Sequence, residues 1–175
     1  MEPTRTQLFE SLFREHYPAV RGYALRRTSP DAAQDAVAET FLVAWRRFEE
    51  MPEDALPWLY GVARRVLANQ RRSAGRSAAL TDRLGATAAE TGSHEEGVGE
   101  ADALRSALAR LSEQDREALM LVAWHGLSGA RAARAAGCTR AAFAVRLHRA
   151  RRRLAAQLDA DALPLPANAK SLEAS

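Results

Sequence analysis

Apolar positions along this chain recur at steps of three and four, and nowhere do they alternate with a period of two. β-branched residues are scarce, so helices are expected throughout and no strand is expected. The spacing predicts a first helix over about 6–27, carrying Leu8, Leu12, Phe13, Val20 and Leu25, with a break near Pro18. A second begins after Ser29-Pro30, a cap followed by a first-turn proline, and runs to about Phe48. The two-proline stretch "EEMPEDALP" interrupts, and a further helix spans Trp58 to about Ser73. Periodicity then lapses through "GRSAALTDRLGATAAETGSHEEGVGE", residues 75–100, which reads as a flexible linker. Helices resume over about 101–110, 113–125, 129–136 and 140–158, and the proline-bearing end, 159–175, reads as disordered.

Each main helix has a stripe that should face a core. In "DAAQDAVAETFLVAWRRF" it is Val37, Phe41, Ala44, Trp45 and Phe48. In "WLYGVARRVLANQRRS" it is Leu59, Val62, Ala63, Val66 and Leu67. In the last helix Phe143, Leu147, Ala150 and Leu154 point inward. The remaining faces carry the chemistry. Asp35, Glu39, Leu42 and Arg46 form a stripe that is either plain solvated surface or a seat for a basic amphipathic partner helix. Opposite the stripe of the Trp58 helix fall Gly61, Arg64, Arg65, Ala68, Arg71 and Arg72. Small residues there admit a bulky neighbour, arginines can hold phosphate, and Trp58 and Tyr60 offer flat surfaces for an unstacked base. The competing reading makes Trp58 core and Tyr60 half-exposed.

The 129–136 helix, the Gly137 corner and the following helix form a helix-turn-helix. Its second helix turns outward Ala141, Val145, His148, Arg149 and Arg152, flanked by Arg140 and Arg146. Small residues early in that helix fit a major groove, and arginine can fork onto phosphate or a guanine edge.

Charge strengthens this picture. The net charge is only +3, but residues 101–158 hold 11 Arg against four acids, whereas residues 1–75 hold 11 Arg against 10. Cys138 is the single cysteine, so no internal disulfide can form, and it suits a compact buried position at the turn. His16, His94, His125 and His148 do not cluster with it at metal spacing. No metal, cofactor or catalytic set is expected, and the chain is not expected to be an enzyme. No segment is long and apolar enough to cross a bilayer, and "MEPTRTQLFE" lacks a signal-peptide core, so a cytoplasmic protein is expected.

In order and spacing, the two blocks resemble an extracytoplasmic-function (ECF) sigma factor of the sigma-70 superfamily. "DAAQDAVAETFLVAWRRF" resembles the family's polymerase-binding helix, "LPWLYGVARRVLANQRR" its −10 helix, and "LARLSEQDREALMLVAWHGLS" with "GARAARAAGCTRAAFAVRLHRARRRL" its −35 domain. The resemblance implies an all-α fold with a sigma2-like domain over 1–74 and a sigma4-like domain over 101–158. It implies that Asp35, Glu39, Leu42 and Arg46 dock on the β′ clamp helices of core RNA polymerase. It implies −10 contacts from Trp58, Tyr60, Arg64, Arg65, Asn69, Arg71 and Arg72, with segment 49–57 capturing a flipped base. The second domain would sit on the β flap and read the −35 element through Thr139, Arg140, Ala144, Val145, Arg146, His148, Arg149 and Arg152. An anti-sigma partner is implied as well. Ala38, Arg65, Ala144 and Val145 depart from the residues common in the family, so promoter sequence does not carry over. The rival reading is a transcriptional regulator that uses only the helix-turn-helix, its first block serving dimerisation or sensing.

Overall fold

The computed structural model describes residues 3–83 and 100–161, with side chains described over 3–76 and 102–159. Among the described residues seven α-helices follow one another: α1 (Arg5–Leu25), α2 (Pro30–Arg46), α3 (Ala55–Arg83), α4 (Glu100–Ala109), α5 (Glu113–Ala123), α6 (Gly129–Ala136) and α7 (Arg140–Asp161). A 3-10 turn, Phe48–Glu50, follows α2.

Local chemistry sets the helix starts. Thr4 and Gln7 form a reciprocal capping box, in which Gln7 N donates to Thr4 Oγ1 and Thr4 N donates to Gln7 Oε1. Pro30 opens α2, where the missing N–H has no helical partner to lose. The Asp115 N–H donates to Ser112 Oγ at the head of α5, and the Ala142 N–H to Thr139 Oγ1 at the head of α7. Between α6 and α7 Gly137 adopts φ +66, the left-handed cap that an L side chain rarely tolerates, and its N–H closes on the Arg134 carbonyl.

Two expectations are corrected. Pro18 does not break α1, which runs on through it: Pro18 and Arg14 are both exposed, so the carbonyl that loses its partner lies on the water side. Leu8 and Phe13, on the N-terminal half of α1, remain exposed, with Phe13 edge-on to Phe41. α3 continues to Arg83, ten residues beyond Ser73, because nothing in "AGRSAALTDR" stops a helix (Ala-rich, one Gly, no Pro). Of the expected linker 75–100, residues 84–99 lie outside the described residues, as do His94 and, of the expected tail, residues 162–175.

α1, α2 and α3 form a three-helix bundle around Val20, Val37, Phe41, Leu59 and Val66, all buried. Phe9 sets its ring edge-on to Trp45 at 5.0 Å, closing the lower end. α4 to α7 fold around Leu121, Leu127 and Phe143, with a satellite cluster of Leu111, Leu119 and Ala150 beneath α4. In this half the buried Asp115 carboxylate is held by Arg153 from α7. The two halves share one continuous core. α6 is alanine-rich on its inner side, with Ala132, Ala133, Ala135 and Ala136 buried, and that thin face lies directly on α3. Among the described residues no helix is long and apolar enough to cross a membrane.

Candidate nucleic-acid interface

On α2, Asp35, Glu39, Leu42 and Arg46 are all exposed along one stripe, and Leu42, 46% exposed, is the apolar member. On the recognition-type helix α7, Thr139, Arg140, Ala144, Val145, His148, Arg149 and Arg152 are exposed and Arg146 is half-buried. Val145, 51% exposed, stands at the centre of that face. Ala141, Ala142, Arg146 and Arg149 line a groove there with Gln114 of α5 and its N-cap Ser112. Both surfaces are open to a partner.

The arginine face of α3 is divided. Arg65, Asn69 and Arg72 are exposed, and Arg72 donates to the Asn69 side-chain oxygen. Trp58 is half-buried against the core. Tyr60, however, is 2% exposed, so neither a base platform nor a half-exposed ring describes it. It stacks on Tyr23 with ring centres 4.9 Å apart, and its hydroxyl lies 3.2 Å from Nδ1 of His125. Burial raises the Tyr60 pKa. The bulky neighbour that Gly61 admits is the chain's own α6. A Cβ at Gly61 would stand 3.5 Å from the Ala135 carbonyl oxygen, so the two backbones are in contact distance.

Charges cross this seam in both directions. Asp54, in the segment ahead of α3, receives a forked pair from Arg131 of α6 (Nε to Oδ2 3.0 Å, Nη2 to Oδ1 2.8 Å). Arg134 adds a third bond to the same carboxylate at 2.5 Å. The Arg131 hydrogen bonds hold the Asp54 carboxyl below its usual range. In return α5 offers its acids to the first half. Tyr23 donates from its hydroxyl to Glu117 at 2.7 Å, and Glu113 pairs with Arg71. Arg64 reaches past α3 to the turn, where its guanidinium occupies the space a Gly137 side chain would need.

His125 sits at the centre. Tyr60 and Tyr23 lie against its ring at 4.9 and 5.5 Å. Burial first, then Arg27 and Arg26, lower its pKa to about 4, so it is neutral at ordinary pH. Its Nε2 is buried without a hydrogen-bond partner among the described residues. Sequence reading leaves His125, Asp54, Tyr23 and Glu117 without a role, because each matters only across the seam. Among the described residues no His, Cys, Asp and Glu are grouped so as to hold a metal ion. Cys138 is half-buried at the turn, against the shared core.

The arrangement is a three-helix block followed by a helix-turn-helix block, each with an exposed partner surface. Two family models match in that order: Sigma-70 region 2 over residues 12–77 and Sigma-70, region 4 over residues 101–154. The chain is 33% identical over 153 residues to the ECF RNA polymerase sigma factor SigL of Mycobacterium tuberculosis, covering 84% of this chain and 86% of that protein. The chain belongs to the ECF sigma factor family. A second relative is the ECF sigma factor EcfG of Rhodopseudomonas palustris, 31% identical over 82% of this chain and 81% of its own. Among solved structures, the sigma factor RpoE of Bartonella quintana, in complex with the anti-sigma factor NepR, superposes with a TM-score of 0.68 at 29% identity. It spans 87% of this chain and 98% of that one. CnrH, solved with the cytosolic domain of CnrY, has a TM-score of 0.62 at 24% identity over 87% and 88%, a likeness of fold. In this sigma factor, then, the arginine face of the region-2 block is partly covered by the region-4 block.

Proposed function

We propose that this sigma factor works as a non-enzymatic initiation factor in the cytoplasm, directing core RNA polymerase to promoters. Residues 1–74 serve core binding and the −10 element, 75–100 link, and 101–158 read the −35 element. Asp35, Glu39, Leu42 and Arg46 meet the β′ clamp helices. The exposed α7 face, from Thr139 to Arg152, enters the −35 major groove while its domain rests on the β flap. Trp58, Arg64, Arg65, Asn69, Arg71 and Arg72, with segment 49–57, hold the −10 strand. The observation that carries this reading is the coexistence of an exposed acidic-apolar stripe on α2 and an exposed basic face on α7.

Geometry adds a condition. The two promoter elements lie roughly 25 base pairs apart, about 85 Å at the rise of B-DNA. A compact chain of this length has a radius of gyration of about 16 Å. The halves therefore separate when promoter is bound, and separation uncovers Arg64 and the side of Tyr60 that faces His125 for the −10 strand. The residues between Arg83 and Glu100 can span roughly 55 Å when extended, which permits the movement. An anti-sigma protein is a further partner, supported by the similarity to a sigma factor solved with one.

Run-off transcription with purified core polymerase tests the reading, using genomic fragments that include the protein's own upstream region. Promoter-specific transcripts that require the added chain are expected. Duplex binding by the chain with no stimulation on any template would favour the helix-turn-helix regulator instead.

A further inference from the structure

Between the C-terminal end of α1, the middle of α3 and the outer face of α5 lies a cavity of about 90 Å3. A single water needs roughly 10–15 Å3 of such space, so a larger guest fits. Its walls are unusually cationic. Arg26 and Arg27 follow directly on α1, Arg64 and Arg71 come from α3, and Arg116 from α5. Among the described residues two carboxylates face them, Glu113 and Glu117. Glu113 is engaged by Arg71, and Glu117 accepts the Tyr23 hydroxyl. Five guanidinium groups against two acids leave three positive charges in excess at the seam, with Arg26 and Arg71 on its exposed rim.

The donors are also incompletely used. Arg27 lies over the Tyr23 ring at 3.5 Å and donates from Nη1 to the Tyr23 carbonyl at 2.9 Å, yet its Nη2 is buried without a partner among the described residues. Arg64 Nε is in the same condition. Burial lowers the Arg27 pKa; Tyr23 and Glu117 offset part of that, and Arg71 and Arg116 push it down again. Arginine does not shed its proton in proteins, so such a site is relieved by taking up negative charge. Planar forks converging from three helices suit a tetrahedral oxyanion better than a point counter-ion.

We propose that this cavity binds a small phosphate-bearing anion, either inorganic or the phosphate chain of a nucleotide, and that the bound anion ties α5 to α1 and α3. The guest is a free small anion rather than nucleic-acid backbone, because a cavity of about 90 Å3 holds a phosphate group but not a run of nucleotides. Occupancy holds the two halves together and keeps the Tyr60–Arg64 face covered. That consequence for transcription rests on the sigma-factor reading, but the binding itself does not.

Titration calorimetry on the full chain, with inorganic phosphate and pyrophosphate at fixed ionic strength, tests the proposal without polymerase or promoter. The two readings can therefore fail separately. One saturable site is expected, tighter for pyrophosphate, with slower amide exchange over residues 60–71 when it is filled. Arg116→Gln and Arg26→Gln, neither of them in the polymerase or DNA surfaces, are each expected to weaken binding by about tenfold while circular dichroism stays unchanged. Arg149→Ala, on the recognition face, is expected to leave it unaltered. A nucleoside triphosphate that binds more tightly than pyrophosphate assigns the guest to a nucleotide, and equal affinity assigns it to the free anion. Absence of a saturable site overturns the proposal. So does binding that ignores both glutamine variants, or binding that disappears in Arg149→Ala.

Discussion

Asp54 and Arg131, 77 positions apart in sequence, meet through two parallel hydrogen bonds of 2.8 and 3.0 Å. The acid belongs to the segment leading into α3, and the arginine to α6, the first helix of the helix-turn-helix. Their pairing therefore latches one half of the molecule onto the other. An exposed ion pair contributes up to about 1 kcal/mol, and forked geometry with Arg134 as a third donor places this one at the upper end. Asp54→Ala is expected to shift the population toward separated halves, seen as a longer mean distance between dyes placed on α2 and α7. An unchanged distance distribution would show that the latch contributes nothing.

Gly61 gives a steric counterpart. Since a Cβ there would make only ordinary contact with the Ala135 carbonyl, Gly61→Ala is expected to leave the seam closed. Gly61→Leu drives a branched side chain into α6 and is expected to part the halves with helical content retained. Amide exchange over α6 reports the difference, and equal protection in the two variants would rule out contact at this point.

Acid should loosen the same seam through His125. The folded pKa of about 4 lies below the unfolded value of about 6.5, so the closed form is favoured fully above pH 6.5. Its advantage shrinks as pH falls from about 6.5 to 4, since the separated form takes up the proton first. The facing groups Tyr23, Tyr60, Arg26 and Arg27 offer that proton no acceptor beyond the Tyr60 hydroxyl. His125→Phe is expected to flatten thermal stability across this range. A variant curve as steep as the parent's would place the pH sensitivity elsewhere.

The α2 stripe predicts a separable loss. Asp35→Arg with Glu39→Arg is expected to abolish retention of core RNA polymerase while leaving the helical spectrum intact, because both side chains are exposed and cap nothing. Retention of polymerase at the parent's level would move the docking surface to another helix.

On α7, Arg149→Ala is expected to weaken duplex −35 binding by about 1–3 kcal/mol, the range for one bidentate base contact. Uniform weakening on every sequence would instead assign Arg149 to phosphate. The salt slope of binding separates the two.

Much of this molecule is legible from periodicity. The stripes Leu59–Val62–Ala63–Val66–Leu67 and Phe143–Leu147–Ala150–Leu154 face inward as their spacing requires, and the α6–Gly137–α7 corner falls where glycine must take a positive φ. Helix ends are less legible where no stop signal exists, as at Ser73, where an alanine-rich stretch continues α3. What sequence spacing does not encode is how two blocks meet across an aperiodic connection. Tyr60 looks like a base platform beside Arg64 until Tyr23 and His125 enclose it. One clue was present: Gly61 beside Tyr60 on an arginine-rich face marks a place where something close and backbone-thin must lie. The alanine face of α6 meets that description.

Gly137 meets two demands with one missing methyl. Its left-handed backbone sets the angle between α6 and the recognition helix, and the emptiness beside its Cα admits the Arg64 guanidinium. Any replacement would strain the corner and displace the arginine together. A change at that position therefore cannot alter the cover over α3 without also disturbing the joint that carries α7.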